Sequence, residues 1–140
     1  FLDYLQIIAL TVEKELFATG DKISEQIDRI FFFWRDYVVT GKIDREIASR
    51  FGNGTSYAYN SFGLSYAFFI SCPNSFSVVW QAATAGGDTD SNASIAGSLC
   101  GALNGSSFIP SNLLLNLERR EYIETLVERF FQICSPASIK

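Results

Sequence analysis

The chain has 140 residues, 48% of them hydrophobic, with a formal net charge of −4 and a pI near 4.7. This length fits one domain with a sizeable core, and the apolar content excludes a disordered composition. The 11 Lys and Arg residues form no dense patch, and Arg119-Arg120 and Asp44-Arg45 sit in mixed-sign stretches, so a nucleic-acid backbone is not an expected partner.

Apolar residues recur at helical spacing almost throughout. The first helix is predicted from Leu2 to Phe17, with Leu2, Leu5, Ile8, Val12 and Leu16 on one face, and Gly20 ends it. Asp21 or Ser24 can cap the second, whose broad stripe is Ile23, Ile27, Ile30, Phe31, Trp34 and Val38. Trp34 and the run Phe31-Phe32-Phe33 are expected in the core, as is Trp80. Gly41 breaks that helix, and a short one with Ile43 and Ile47 follows, closed by Gly52-Asn53-Gly54. From Thr55 to Ser71 the residues are apolar or small on most sides, the pattern of a buried helix. After Pro73, Ser75 can cap a helix from Phe76 to Ala85. The Gly86-Gly87 pair then permits a sharp turn. A helix from about 90 to 104 comes next, closed by Gly105 to Pro110, and the tail from Leu113 to Cys134 reads as a last helix. Its Glu118, Glu121, Glu124 and Glu128 lie beside Arg119, Arg120 and Arg129, as on a salt-bridged exposed face. The fold class predicted is all-α, about seven helices over residues 1–140, with no period-2 strand and no linker.

Three cysteines, Cys72, Cys100 and Cys134, are widely spaced without a CxxC pattern, and there is no histidine. A zinc site or a Cys-His nucleophile is thereby excluded. Sequons occur at Asn53, Asn92 and Asn104, but the absence of a disulfide framework places the expected location in the cytoplasm. The longest apolar run, about Phe62 to Cys72, is too short to span a bilayer. The sequence starts abruptly within a helical pattern, as a fragment of a larger fold does.

In the helix after the double glycine, Ala93, Gly97, Gly101 and Gly105 recur every four residues. Glycine inside a helix costs about 1 kcal/mol relative to alanine, so close approach of another helix is the expected compensation. At the start of this helix stands Gly86-Gly87-Asp88-Thr89-Asp90-Ser91. Two carboxylates and a hydroxyl within four residues offer hard oxygen ligands to a divalent cation. Magnesium suits so short a ligand set better than calcium, since it keeps water. The helix N-terminus beside them favours an anion such as a phosphate. Taken as a bare D-x-D-S, the same string is an ordinary helix cap.

The wider string AGGDTDSNASIAGSLCGALNG, followed by Phe108-Ile109-Pro110, resembles the C-terminal motif of the ADP-ribosylglycohydrolase family, and the likeness extends over roughly residues 45 to 130. The resemblance implies an all-α fold holding two magnesium ions that cleaves the bond from ADP-ribose C1″ to an acceptor. By position, Asp88, Asp90 and Ser91 match the family's C-terminal metal ligands. Gly52, Gly54 and Tyr57, with Gly86 and Gly87, match segments that border the ADP-ribose. Family members are about twice this length, and their first half carries a Gly-Asp and a Thr-Asp-Asp set that has no match here. The chain is therefore expected to supply the C-terminal half of the metal site, with the N-terminal half of the same protein or a second chain as partner. A non-catalytic, crystallin J1-like or ADP-ribose-binding protein of the same fold is the alternative, and a helical interaction domain with a capped helix start is a third. No residue decides the acceptor.

Overall fold

The computed structural model describes residues 1–16, 19–40, 47–52 and 56–134, the side chains of residues 37–40 excepted. Expectations resting on Phe17, Gly41, Ile43, Asn53, Gly54 and the side chain of Val38 lie outside these. Among the described residues there are eight α-helices and no strand: α1 (Leu2–Glu15), α2 (Ile23–Thr40), α3 (Ile47–Arg50), α4 (Ala58–Ser71), α5 (Ser77–Thr84), α6 (Thr89–Asn104), α7 (Ser111–Leu115) and α8 (Arg120–Cys134). The all-α reading therefore holds. The chain divides into two compact units, Phe1–Phe108 and Ile109–Lys140.

In the first unit α4 is the central helix. Tyr59, Ser61, Gly63, Leu64, Ser65, Ala67, Phe68 and Ser71 are all buried, which leaves almost no solvent face and matches its apolar, small-residue sequence. Helices α2 and α6 both pack against it, and α5 packs between the end of α4 and α6. Ile30, Phe33, Phe51, Leu64, Phe68, Val78, Ala96 and Cys100 make the core. Ser75 Oγ accepts the Ser77 N–H at 3.2 Å just ahead of α5, although the cap position itself falls on Phe76 and not on Ser75 as expected.

Hydrogen bonds fix the directions of the helices. Gln26 Nε2 donates to the Tyr59 carbonyl at 2.9 Å, which joins the start of α2 to the start of α4. Asn104 Nδ2 donates to the Pro73 carbonyl at 2.8 Å, which joins the end of α6 to the end of α4. The three helices thus run parallel, with α6 starting beside the middle of α4 where Asn92 meets Ser65, and α1 runs antiparallel along α2. There Gln6 Nε2 donates to Asp28 at 3.1 Å, while both Glu13 oxygens accept from Ser24, its N–H at 2.9 Å and its hydroxyl at 2.6 Å.

Two stripes differ from the sequence reading. In α1 the buried residue is Ala9, and Ile8, Val12 and Leu16 are exposed. The face shown to α2 follows the polar pairs of Gln6 and Glu13 rather than the longest apolar line. In α2 the core line is Gln26, Ile30 and Phe33, spaced i, i+4, i+7, because α4 lies along it. Phe31, Phe32 and Trp34 fall outside that line and are exposed, as is Trp80 on α5, so these aromatics are not core residues.

The Glu13–Ser24 pair carries a testable consequence. Burial works against the Glu13 carboxylate, but the Ser24 hydroxyl and N–H, with the charge of Lys22, outweigh it and hold Glu13 below the usual carboxylate range. A depressed carboxylate stabilises the fold above its unfolded pKa and loses that contribution as pH falls through the folded value. Glu13→Gln should therefore cost about 1 kcal/mol at neutral pH, the low end for a charge-assisted bond because the pair is partly exposed. Denaturant titrations at a series of pH values should show the deficit closing below about pH 4.

In the second unit the predicted long tail helix is two helices. Asn116 ends α7, its Nδ2 donating to the Asn112 carbonyl at 2.7 Å, and Arg119 adopts a left-handed φ of 55° before α8 begins. Arg120 Nε and Glu124 Oε1 pair at 2.7 Å across one turn of α8, part of the expected salt-bridged face. The apolar residues Ile123, Leu126, Val127 and Phe130 are exposed.

Candidate functional site

The loop between α5 and α6 turns through two successive left-handed residues, Gly86 at φ 90° and Gly87 at φ 75°. Only glycine adopts such values without strain. A Cβ built on Gly86 would meet nothing within 4 Å, so the requirement there is conformational and not steric. Gly86→Ala should therefore cost about 1–2 kcal/mol, and Gly86→Asn less, since asparagine visits this region more readily. Chemical denaturation of the two variants beside the parent checks the order.

The turn delivers Asp88 to the N-cap position of α6, with Thr89, Asp90 and Ser91 in the first turn. Asp88 occupies a cap position but makes no side-chain cap hydrogen bond. The Asp88 side chain beside it, followed by the Ser91 and Asp90 N–H groups, holds the exposed Asp90 carboxyl below the usual carboxylate range. Two carboxyl groups two residues apart at a helix start offer hard oxygen donors to a cation.

Does this donor set fit magnesium? Carboxylate and hydroxyl oxygens are the hard ligands it takes, and an exposed loop leaves room for the waters it retains. Among the described residues, no group of three or more Asp, Glu, His or Cys side chains could hold a metal ion. Asp88, Asp90 and Ser91 thus fit as one side of a site, short of the about six oxygens an octahedral ion requires.

The second group of sequence-predicted residues lies at the start of α4. Gly52 is left-handed at φ 69°, and the Asn60 side chain fills the space its Cβ would take. A chain reversal packed under Asn60 accounts for glycine there. Gly54 lies outside the described residues. Tyr57 is exposed, its ring tilted on that of Tyr59 with centroids 6.0 Å apart. Asp21 beside its hydroxyl, as acceptor and then as charge, pushes the Tyr57 phenol up. Tyr57 stands at the start of α4, whereas α6 begins beside the middle of α4, where Asn92 meets Ser65.

Cys100 is fully buried, and that burial, with Cys72 nearby, pushes its thiol up, which removes it as a nucleophile. All three cysteines are free thiols. No helix among the described residues is long and apolar enough to cross a membrane. Sequence reasoning missed two residues beside the loop, Ser65 and Asn92. Both are fully buried, the Ser65 hydroxyl donating to the Asn92 carbonyl at 3.2 Å.

The chain belongs to the ADP-ribosylglycohydrolase family, whose match runs over residues 4–138, wider than the motif-bearing stretch. Membership points to hydrolysis of ADP-ribose conjugates. No curated protein and no solved structure matches the chain.

Proposed function

We propose that this chain contributes Asp88, Asp90 and Ser91 to a magnesium site that hydrolyses ADP-ribose from modified protein side chains or related conjugates. The observation that carries the reading is the Asp88 side chain, which stands at a helix cap two residues before Asp90 yet caps nothing. A cap residue retained only for helix stability would accept an N–H of the first turn. Magnesium held there would orient ribose hydroxyls and water and stabilise charge at the departing bond. Asp88 and Asp90 hold the cation, and the Ser91 hydroxyl adds a neutral ligand. The exposed N–H groups at the start of α6 suit the diphosphate. Gly86 and Gly87 keep that approach clear of side chains, and Tyr57 with Gly52 would border the ligand from the start of α4.

The remaining ligands come from another segment, the N-terminal half of the same protein or a second chain, because two carboxylates and a hydroxyl do not complete the shell. The free thiols suit a cytoplasmic location. The same shortage of acidic ligands among the described residues favours one alternative, a non-catalytic, crystallin J1-like protein that binds ADP-ribose without cleaving it. Calorimetric titration of ADP-ribose into the longest natural form, with and without Mg²⁺, tests the proposal. Magnesium-dependent binding followed by release of ADP-ribose from a modified substrate supports it. Binding without turnover supports the alternative, and no binding by folded protein removes both.

A further inference from the structure

Helix α6 enters the first unit with little side-chain relief. The positions it offers its neighbours are mainly small: Ala93, Ala96, Gly97 and Gly101. Such a surface gives few protrusions to lock a helix against rotation or sliding along α4, because apolar packing of small groups is weakly directional. One turn above the acidic pair a polar contact sits in this interface. Ser65 of α4 and Asn92 of α6 are both wholly inaccessible to solvent. The Ser65 hydroxyl donates to the Asn92 carbonyl at 3.2 Å and lies 3.5 Å from Asn92 Oδ1. The Asn92 N–H in turn donates to the Asp88 carbonyl at 3.1 Å. A chain of hydrogen bonds thus runs from the middle of α4 to the backbone of Asp88.

This contact is poorly explained by stability alone. Among the described residues Asn92 Nδ2 is buried with no acceptor, a state that costs free energy relative to an apolar side chain of similar size. A buried polar group kept at such a cost is best accounted for by the geometry it enforces. Rotating α6 by one residue swings its side chains by about 100°, enough to carry Asp88 and Ser91 away from any ligand between them. Metal ligands need placement within about 0.5 Å.

We propose that Ser65 and Asn92 are positioning residues, a buried clamp that fixes the rotation and height of α6 on α4 and so holds Asp88, Asp90 and Ser91 in metal-binding geometry. This rests on the magnesium-site reading, and its test separates the two. Mg²⁺ alone is titrated calorimetrically into the full-length natural protein and its variants, and thermal unfolding is recorded without metal. Asp88→Asn/Asp90→Asn should bind no Mg²⁺. Ser65→Ala, nearly isosteric, should bind about 10-fold more weakly, the loss typical when a group supporting metal ligands is removed. Asn92→Leu keeps the main-chain acceptor but loses the side-chain contact, so it should show a smaller loss even if its melting temperature rises. Val78→Ala, a core truncation on α5, should lower the melting temperature and leave Mg²⁺ affinity at the parent value. The clamp is overturned, with the metal site left standing, if Ser65→Ala and Asn92→Leu bind Mg²⁺ like the parent, or if Val78→Ala weakens it as much. If the folded parent binds no Mg²⁺, both readings fall.

Discussion

Asp88→Asn/Asp90→Asn should weaken Mg²⁺-dependent binding of ADP-ribose by at least about 100-fold, and hydrolysis with it, while leaving the fold intact. The magnitude follows from removing both charged ligands on this side of the site, since loss of a merely supporting group already costs about 10- to 100-fold. Stability without metal should fall slightly as well. Asp90 is held below the usual carboxylate range by the Asp88 side chain and then by the Ser91 and Asp90 N–H groups, so its ionised form supports the fold and neutralising it removes that support. The metal-free variant should therefore melt slightly below the parent. Adding Mg²⁺ should raise the melting temperature of the parent only, since a ligand at 100 times its dissociation constant stabilises the folded state by about 2.7 kcal/mol. Differential scanning fluorimetry with and without Mg²⁺ reads both effects at once. A parent whose melting temperature ignores Mg²⁺, or a variant that responds as the parent does, would falsify the assignment.

The turn and helix start that carry Asp88, Asp90 and Ser91 were legible because these residues lie close together in sequence after a double glycine. The supporting contact was not. Ser65 and Asn92 are 27 residues apart, and neither has a local signature that separates a buried clamp from a solvated serine or asparagine. Helix limits were similarly legible where glycine or proline punctuates, at Gly20, Pro73, Gly86-Gly87 and Gly105. They failed at residues 116–119, where no glycine or proline marks the break and Arg119 itself takes the left-handed conformation. The rotation of α1 and α2 was also beyond a one-dimensional reading. Apolar residues stand on several sides of both helices, and the side chosen for the core includes a polar residue, Gln26, that pattern reasoning assigns to solvent.

The glycines supply the second large effect, and here the structure reverses the expectation. The recurring Gly97 and Gly101 of α6 read as a stripe for close helix approach. A Cβ at Gly97 would lie 3.4 Å from Val79 Cγ2, and one at Gly101 3.8 Å from Phe108, both ordinary contacts. Gly105, the last of the series, is the left-handed cap of α6 with open space around it. The helical glycine that packing demands is instead Gly63, in α4, where a Cβ would lie 2.6 Å from Phe51 Cδ1 and 2.8 Å from Gln26 Cδ. Phe51 is held in the core edge-on against Phe33, and Gln26 is tied to the Tyr59 carbonyl, so neither can yield cheaply. Gly63→Val should destabilise the protein by about 3 kcal/mol or more: overpacking accounts for about 1–3 kcal/mol, and displacing the buried Gln26 amide from its acceptor adds to it. Gly101→Ala should instead be neutral or stabilise by up to about 1 kcal/mol, the helix-propensity gain of alanine over glycine. Urea denaturation of the two variants decides the matter by sign as well as size. Equal losses at both positions would mean that α6 packs more tightly than its neighbours' atoms allow, and that the close approach lies on the α6 stripe after all.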